Sequence, residues 1–400
     1  MPVAQLPLEL IKPIVTDPTL TKADLQWLCL TARVFPPLVR PHLFERLKIL
    51  IGPKFEDKKR PRASKEPGDA ITLDEMDRLM SLRRRGDLAE LVKEVCIGKG
   101  HALKPPPGSI RMTAHDLMQL VYTIFPRLEK ATATTSSLPE LAIAPPREPL
   151  PCCEVLHTLH YLRLDAHTWK GLQMCPALRH LSIAEMSLRK GVPAVSPSLP
   201  LRLETLDFGW CWENDTGNVF LQPILYACGP TLKHLRLSMI WDTVTNLAML
   251  PNLASLTVYM KSDDEVEEIG ETLDAWLAEV LPTCTALERL NIDTPDQVGY
   301  KLRRSPQRLL AEPEVAAALP ATLKRIDFNM ALEEGELEAV LSNQSSVQVI
   351  SAYLMVRRVS ESCKMLLLTS FSHAQPDSSW DFCRKRGIKV VDSYMSKWPA

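Results

Sequence analysis

Leu178, Leu181 and Ile183 put apolar side chains at the first, fourth and sixth positions of a short stretch. The same spacing returns at Leu203, Leu206 and Phe208, at Leu232, Leu235 and Leu237, and at Leu253, Leu256 and Val258. Two more copies follow, Leu287 with Leu290 and Ile292, and Leu323 with Ile326 and Phe328. Weaker ones precede them at Val92, Val95 and Ile97, at Leu128, Ala131 and Ala133, and at Leu159, Leu162 and Leu164; Val347, Ile350 and Ala352 come after. Fourth and sixth positions that alternate with solvent-facing residues predict a strand in each unit. One such unit cannot enclose its own apolar face, so neighbours must stack.

Other stretches carry the helical period. Val266, Ile269, Leu273, Trp276, Leu277 and Val280 recur at that spacing behind Asp263, Asp264 and Glu265, acids that favour a helix N-terminus. Leu117, Leu120, Val121 and Ile124 predict another helix, opened by Thr113 as N-cap with Asp116 three residues on, and Phe220, Leu221, Ile224 and Leu225 a third. Strand and helix alternate at an uneven period that suits leucine-rich repeats of about 20 to 29 residues with loop insertions. The predicted fold class is α/β: a leucine-rich-repeat solenoid over residues 74–400, with parallel strands on its concave face, helices outside, and a C-terminal cap containing Trp380, Phe382, Ile388, Val390 and Val391.

The first fifty residues read differently. Leu10 with Ile14 and Ile11 with Val15 form helical pairs behind Pro7, and Asp17-Pro18 ends that helix. Thr21 and Asp24 predict a capping box for a second helix with Leu25, Leu28, Cys29 and Ala32 on one face, and Leu38 to Leu47 supply a third apolar segment. So small a helical domain is marginal without a metal, a disulfide or a partner, and no metal or disulfide pattern accompanies it.

Leu6-Pro7, Glu9-Leu10, Ile14, Asp24-Leu25, Leu28, Leu30, Arg33, Val34, Phe35 and the run Arg40-Pro41-His42-Leu43-Phe44 resemble an F-box. The whole arrangement is similar to the F-box proteins with irregular leucine-rich repeats found in mushroom-forming fungi. The resemblance implies a small all-α F-box domain over residues 1–50 that docks a Skp-type adaptor, and through it a cullin, by way of Leu6, Pro7, Leu10, Ile14, Leu25, Leu28, Val34 and Phe35. It implies too that the repeats hold a client protein for ubiquitylation. Pro36-Pro37 departs from the family pattern, which often places an aromatic pair there.

Composition narrows the functions. Lys and Arg number 47 against 48 Asp and Glu, a net charge of −1, so no global field draws the chain to nucleic acid or to an anionic membrane. Apolar runs are too short to span a bilayer, and Glu9 and Lys12 interrupt any signal-peptide core, so a cytosolic or nuclear protein is expected. Single cysteines on apolar faces, such as Cys29, Cys96, Cys228 and Cys383, read as reduced, buried small hydrophobes. Residues 51–73 read as a disordered linker, in which Lys58-Lys59-Arg60-Pro61-Arg62 is either a nuclear import signal or a solvated run. Arg83, Arg84 and Arg85 are read as the end of a helix starting near Asp74 and stopped by Gly86, rather than as a phosphate site. Pro105–Pro107 and Pro139–Pro151 read as loops, and Arg303-Arg304-Ser305-Pro306 as a candidate phosphorylation site in another.

No catalytic, cofactor or metal constellation emerges. Gly98-Lys99-Gly100 lacks the third glycine of a dinucleotide fingerprint. Cys152, Cys153, His157 and His160 form the only ligand-like cluster, but adjacent cysteines converge poorly on one tetrahedral zinc. A non-enzymatic substrate receptor is the reading, with a free-standing repeat scaffold, its first helices capping the array, as the alternative. For client binding, repeat phase singles out Trp212 and Trp241, which follow Leu203 and Leu232 by equal intervals. Packing as loop core is their bland reading and a binding rim their functional one, with Thr205, Asp207, His234, Arg236 and Tyr259 on the outward strand positions nearby.

Overall fold

The computed structural model describes residues 8–17, 19–31, 34–52, 69–99, 110–134, 143–164, 166–186, 201–208, 224–238, 246–259, 275–293, 317–332, 347–354, 387 and 389–392. The chain divides into two compact units, Met1–Pro193 and Ala194–Ala400, and both are built of strands paired mainly in parallel and of helices.

The first unit opens with α1 (Leu8–Val15), α2 (Lys22–Thr31) and α3 (Phe35–Phe44). Then come β1 (Arg46–Gly52), β2 (Asp69–Ile71), α4 (Leu73–Arg84), α5 (Gly86–Ala89), β3 (Glu94–Lys99) and β4 (Ile110–Met112). It continues with α6 (Ala114–Ile124), β5 (Lys130–Thr134), β6 (Thr158–Leu164), α7 (Ala166–Gln173) and β7 (His180–Met186). Its strands lie in the order β7-β6-β5-β3-β1-β2-β4. The pairs from β7 to β1 are parallel, whereas β2 and β4 add antiparallel. In the second unit β8 (Thr205–Phe208), β9 (His234–Ser238), β10 (Ser255–Tyr259), β11 (Arg289–Asp293), β12 (Arg325–Leu332), β13 (Val349–Leu354) and β14 (Lys389–Asp392) pair in parallel and in chain order.

Register follows the repeat. Leu206, Leu235, Leu256, Leu290, Ile326, Ile350 and Val390 fall on one cross-strand row, as do Leu47, Val95, Ala131, Leu159 and Leu181 in the first unit. Where the preceding residues are described, a unit enters its strand the same way, with the N–H of the first anchor donating to a carbonyl three or four residues back. Leu178 donates to Cys175 at 3.1 Å, Leu232 to Cys228 at 3.0 Å and Leu287 to Cys284 at 3.2 Å. The next carbonyl accepts two N–H groups from the following unit, as Glu204 does from Lys233 and His234 at 2.9 and 3.0 Å. These bonds leave few strand-entry groups unpaired, which a buried backbone requires.

Two repeat assignments change. Leu159 pairs with Ala131 and Leu181, so it holds the fourth position, and the buried Leu156 is the first anchor of that unit. A register shift after Leu159 then brings Leu162 opposite Ile183. A further strand precedes the predicted ones, with Leu47 opposite Val95 and Ile49 opposite Ile97. The expected boundary at residue 50 therefore falls inside β1, and the expected linker, 51–73, includes paired strand near both its ends: Ile51 faces Ile71 and Gly52 faces Ala70. Lys58 to Arg62 lie outside the described residues, as do Pro105–Pro107 and Arg303 to Pro306.

Local signals explain the helices. Thr72 and Thr113 cap α4 and α6, their hydroxyls accepting from the N–H groups of Glu75 at 3.2 Å and Asp116 at 3.0 Å. α4 ends at Arg84 with Arg83 and Arg84 in its last turn, as expected, and Gly86 opens the short α5, where Arg85 pairs with Asp87 at 2.8 Å. Part of the proline-rich stretch is tied to α6: Gln119 Nε2 donates to the Pro145 carbonyl and the Tyr122 hydroxyl to that of Ala144, both at 2.9 Å. Residues 224–228 and 275–280 are helical, with Ile224, Leu225, Trp276, Leu277 and Val280 buried as predicted, while Phe220, Leu221 and 263–273 lie outside the described residues.

Candidate functional site

The N-terminal helices own a small core. Ile11 and Val15 of α1, Leu25 of α2, and Phe35 and Val39 of α3 are buried together, with Leu20, Leu28, Cys29, Val34, Leu38 and Leu43 packed against them. The predicted capping box forms: the Asp24 carboxylate accepts from the Thr21 N–H at 2.8 Å and its hydroxyl at 2.6 Å, and these bonds hold its pKa below the usual value. Asp17 is lowered likewise by the hydroxyl and N–H of Thr19. Pro36 and Pro37 occupy the first turn of α3, where a missing N–H costs nothing. Through α3 this group also touches α5 and β1.

The residues that the resemblance assigns to an adaptor divide by burial. Leu25 and Phe35 point into the helical core and Leu28 and Val34 pack against it, so they shape the domain from within. Ile14 remains 45% exposed. Leu6 and Pro7 lie outside the described residues, as does the side chain of Leu10. Two apolar groups are more exposed than any of these whose burial is described, Trp27 at 67% and Leu30 at 77%. They are three residues apart on α2, hence on one face of it. The signal was present in the sequence, because Trp27 falls off the apolar stripe made by Leu25, Leu28 and Cys29, where an amphipathic helix places polar residues.

From β8 to β12, the described outward side chains are polar. Thr205, His234, Ser255, Arg289 and Arg325 share one cross-strand row, and Asp207, Arg236, Thr257, Asn291 and Asp327 the next. Asp207 and Arg236 approach to 3.8 Å. Tyr259 ends β10 on the row after these, opposite Ser238 and Asp293. The predicted client residues Thr205, Asp207, His234, Arg236 and Tyr259 thus sit on neighbouring strands, while Trp212 and Trp241 lie outside the described residues. Opposite charges face each other at the strand starts: Arg46 and Lys130 flank Glu94 at 3.2 and 2.9 Å, Lys233 meets Glu204 at 3.0 Å, and Lys324 meets Glu288 at 2.6 Å. Exposed pairs of this kind fix register more than they add stability.

Further along β11 and β12, Asp327 lies between two arginines. Its Oδ2 accepts from Arg289 Nε at 2.6 Å and its Oδ1 from Arg325 Nε at 2.8 Å. The sequence carries this signal in its repeat phase, since both arginines follow their first anchors, Leu287 and Leu323, by the same interval.

Cys152 and Cys153 lie in a 3-10 turn, Pro151–Glu154, and are buried rather than presented from a loop; the Cys152 thiol donates to the Tyr122 carbonyl at 3.6 Å. Hydrogen bonds with Cys153, and then burial, push the thiols of Cys152 and Cys175 up, while the same two partners lower that of Cys153. His157 turns away to Thr158, with Nδ1 2.9 Å from its hydroxyl, and stands edge-on to His180 at 6.4 Å. Among the described residues no three His, Cys, Asp or Glu side chains are grouped to hold a metal ion. Nor is any helix among them long and apolar enough to cross a membrane.

No known family pattern matches the chain, and no curated protein matches it. Among solved structures it is similar to one described as the yeast Rad7 and Elc1 complex, at 10% identity over 80% of this chain and 88% of that one. The TM-score of that likeness is 0.24.

Proposed function

We propose that the chain is a non-catalytic substrate receptor of a cullin-based ubiquitin ligase in the cytosol or nucleus, with an F-box-like N-terminal domain and a leucine-rich-repeat array. The first helices dock a Skp-type adaptor and the repeat strands hold a client protein. The observation that carries this reading is the exposed pair Trp27 and Leu30, on a helical group whose own core is already closed by Ile11, Val15, Leu25, Phe35 and Val39. Large side chains left in water where folding does not need them are what a docking surface requires, and Trp is enriched at the centres of such surfaces. The alternative, a scaffold whose helices merely cap the array, draws on the contacts of α3 with β1 and α5. It explains α3 but leaves the exposed face of α2 without a role.

Co-purification decides between them. Tagged full-length chain is expected to bring down a Skp-type adaptor and a cullin from cells, and Trp27→Asp with Leu30→Asp to lose both while keeping its melting temperature, because an unpaired charge is not buried in such a contact. Recovery of client proteins without adaptor, for wild type and variant alike, favours the scaffold.

A further inference from the structure

We propose that Arg289 and Arg325, braced by Asp327, form a receptor for a carboxylate, and that its occupant is an acidic segment of the client. The inference rests on the receptor reading only in taking that segment to belong to a client.

The two arginines are register partners on adjacent parallel strands, about 4.8 Å apart at the backbone. Like charges directly opposite each other repel. A simple structural pairing would give each arginine its own acid, as Lys233 has Glu204 and Lys324 has Glu288. Here both share Asp327, which is only 7% exposed and has both oxygens engaged. Two guanidiniums and one carboxylate leave the cluster one positive charge in excess.

Donors are in excess as well. A guanidinium offers five N–H groups. Asp327 takes Nε from Arg289, and Nε with Nη2 from Arg325. Both arginine side chains keep substantial exposure, 47% and 39%, so the remaining Nη groups are open to a planar oxyanion. Their forks are already held by Asp327, which lowers the ordering cost of binding. The row running from Arg289 through Ser255 and His234 to Thr205 carries no acid.

Charge selects carboxylate over phosphate. A single negative charge balances the excess, whereas a phosphate of about −1.5 to −2 would set surplus negative charge beside the buried Asp327.

Fluorescence anisotropy of the full chain tests this with three labelled peptides, alternating Glu-Ser, Lys-Ser and phosphoserine-Gly. The Glu-Ser peptide is expected to bind in a salt-sensitive manner, the Lys-Ser peptide not to bind, and Arg289→Ala or Arg325→Ala to weaken Glu-Ser binding about tenfold or more. Arg289→Gln keeps a donor for Asp327, so it tests the site even if an alanine variant fails to fold, and the same weakening is expected. The proposal is overturned if the wild type ignores the Glu-Ser peptide or binds Lys-Ser equally, or if the folded arginine variants bind as the wild type does. Tighter binding of the phosphoserine peptide would overturn the choice of carboxylate. Adaptor docking is not read in this assay, so each claim can fail without the other.

Discussion

Cys228 and Cys284 lie directly behind the first anchors Leu232 and Leu287, where burial pushes both thiols from 9.0 up to about 11. Folding therefore favours the protonated thiol. That contribution is fully present below pH 9 and is lost as pH rises towards 11, because the native state there holds protons that the unfolded chain releases. Neither thiol is expected to react with iodoacetamide in the folded protein at pH 8, and both should react after unfolding in urea, with mass spectrometry of labelled peptides as the readout. Rapid native labelling of either would contradict their placement. At Asp327, where two arginines meet, Asp327→Asn is expected to cost about 1 to 3 kcal/mol, read as a lower urea midpoint at unchanged slope, since it leaves neighbouring cations without their shared acid.

Among the elements, the strands were legible because the units repeat an apolar first, fourth and sixth position, and two caps because Thr21 and Thr113 each stand three residues before an acid. Phase was less legible where a strand bulges, as at Leu159 to Leu162, where the apolar spacing fits two registers and only pairing with β5 and β7 selects one. Strand β1 was obscured because its Leu47, Ile49 and Ile51 continue the apolar run of the third helix. Thr113→Ala is expected to cost about 1 kcal/mol by removing the hydroxyl that accepts from Asp116 N–H, measured by chemical denaturation. Close approach between successive units gives a sharper test at Gly229, where an added Cβ would lie 2.4 Å from the Met249 carbonyl. Backbone must shift to admit it. Gly229→Ala is expected to cost roughly 1 to 3 kcal/mol, and a variant as stable as the wild type would mean that these units do not pack this closely.

For the whole molecule, repetition made the α/β class and the parallel order readable, while the interaction surfaces were readable only in part. Leu25 and Phe35 are among the residues on which the resemblance to an F-box was drawn, but apolar spacing alone does not separate core from contact residues. Burial does, and it moves attention to Trp27 and Leu30. Asp327 was missed for a different reason, since Arg325 stands two residues before it but its second partner, Arg289, comes from β11, 38 residues away. Deleting residues 378–400 removes β14, the strand that pairs Val390 with Ile350 of β13, and is expected to lower the melting temperature.

The central claim, that the N-terminal helices dock an adaptor through α2, is tested most directly by titrating purified full-length chain with a purified Skp-type adaptor in a calorimeter. A one-to-one complex is predicted, with a negative heat-capacity change from apolar burial, and binding should vanish in Trp27→Asp with Leu30→Asp while Arg289→Ala binds as the wild type does. No measurable binding by the wild type, or undiminished binding by the doubly substituted chain, would contradict the account.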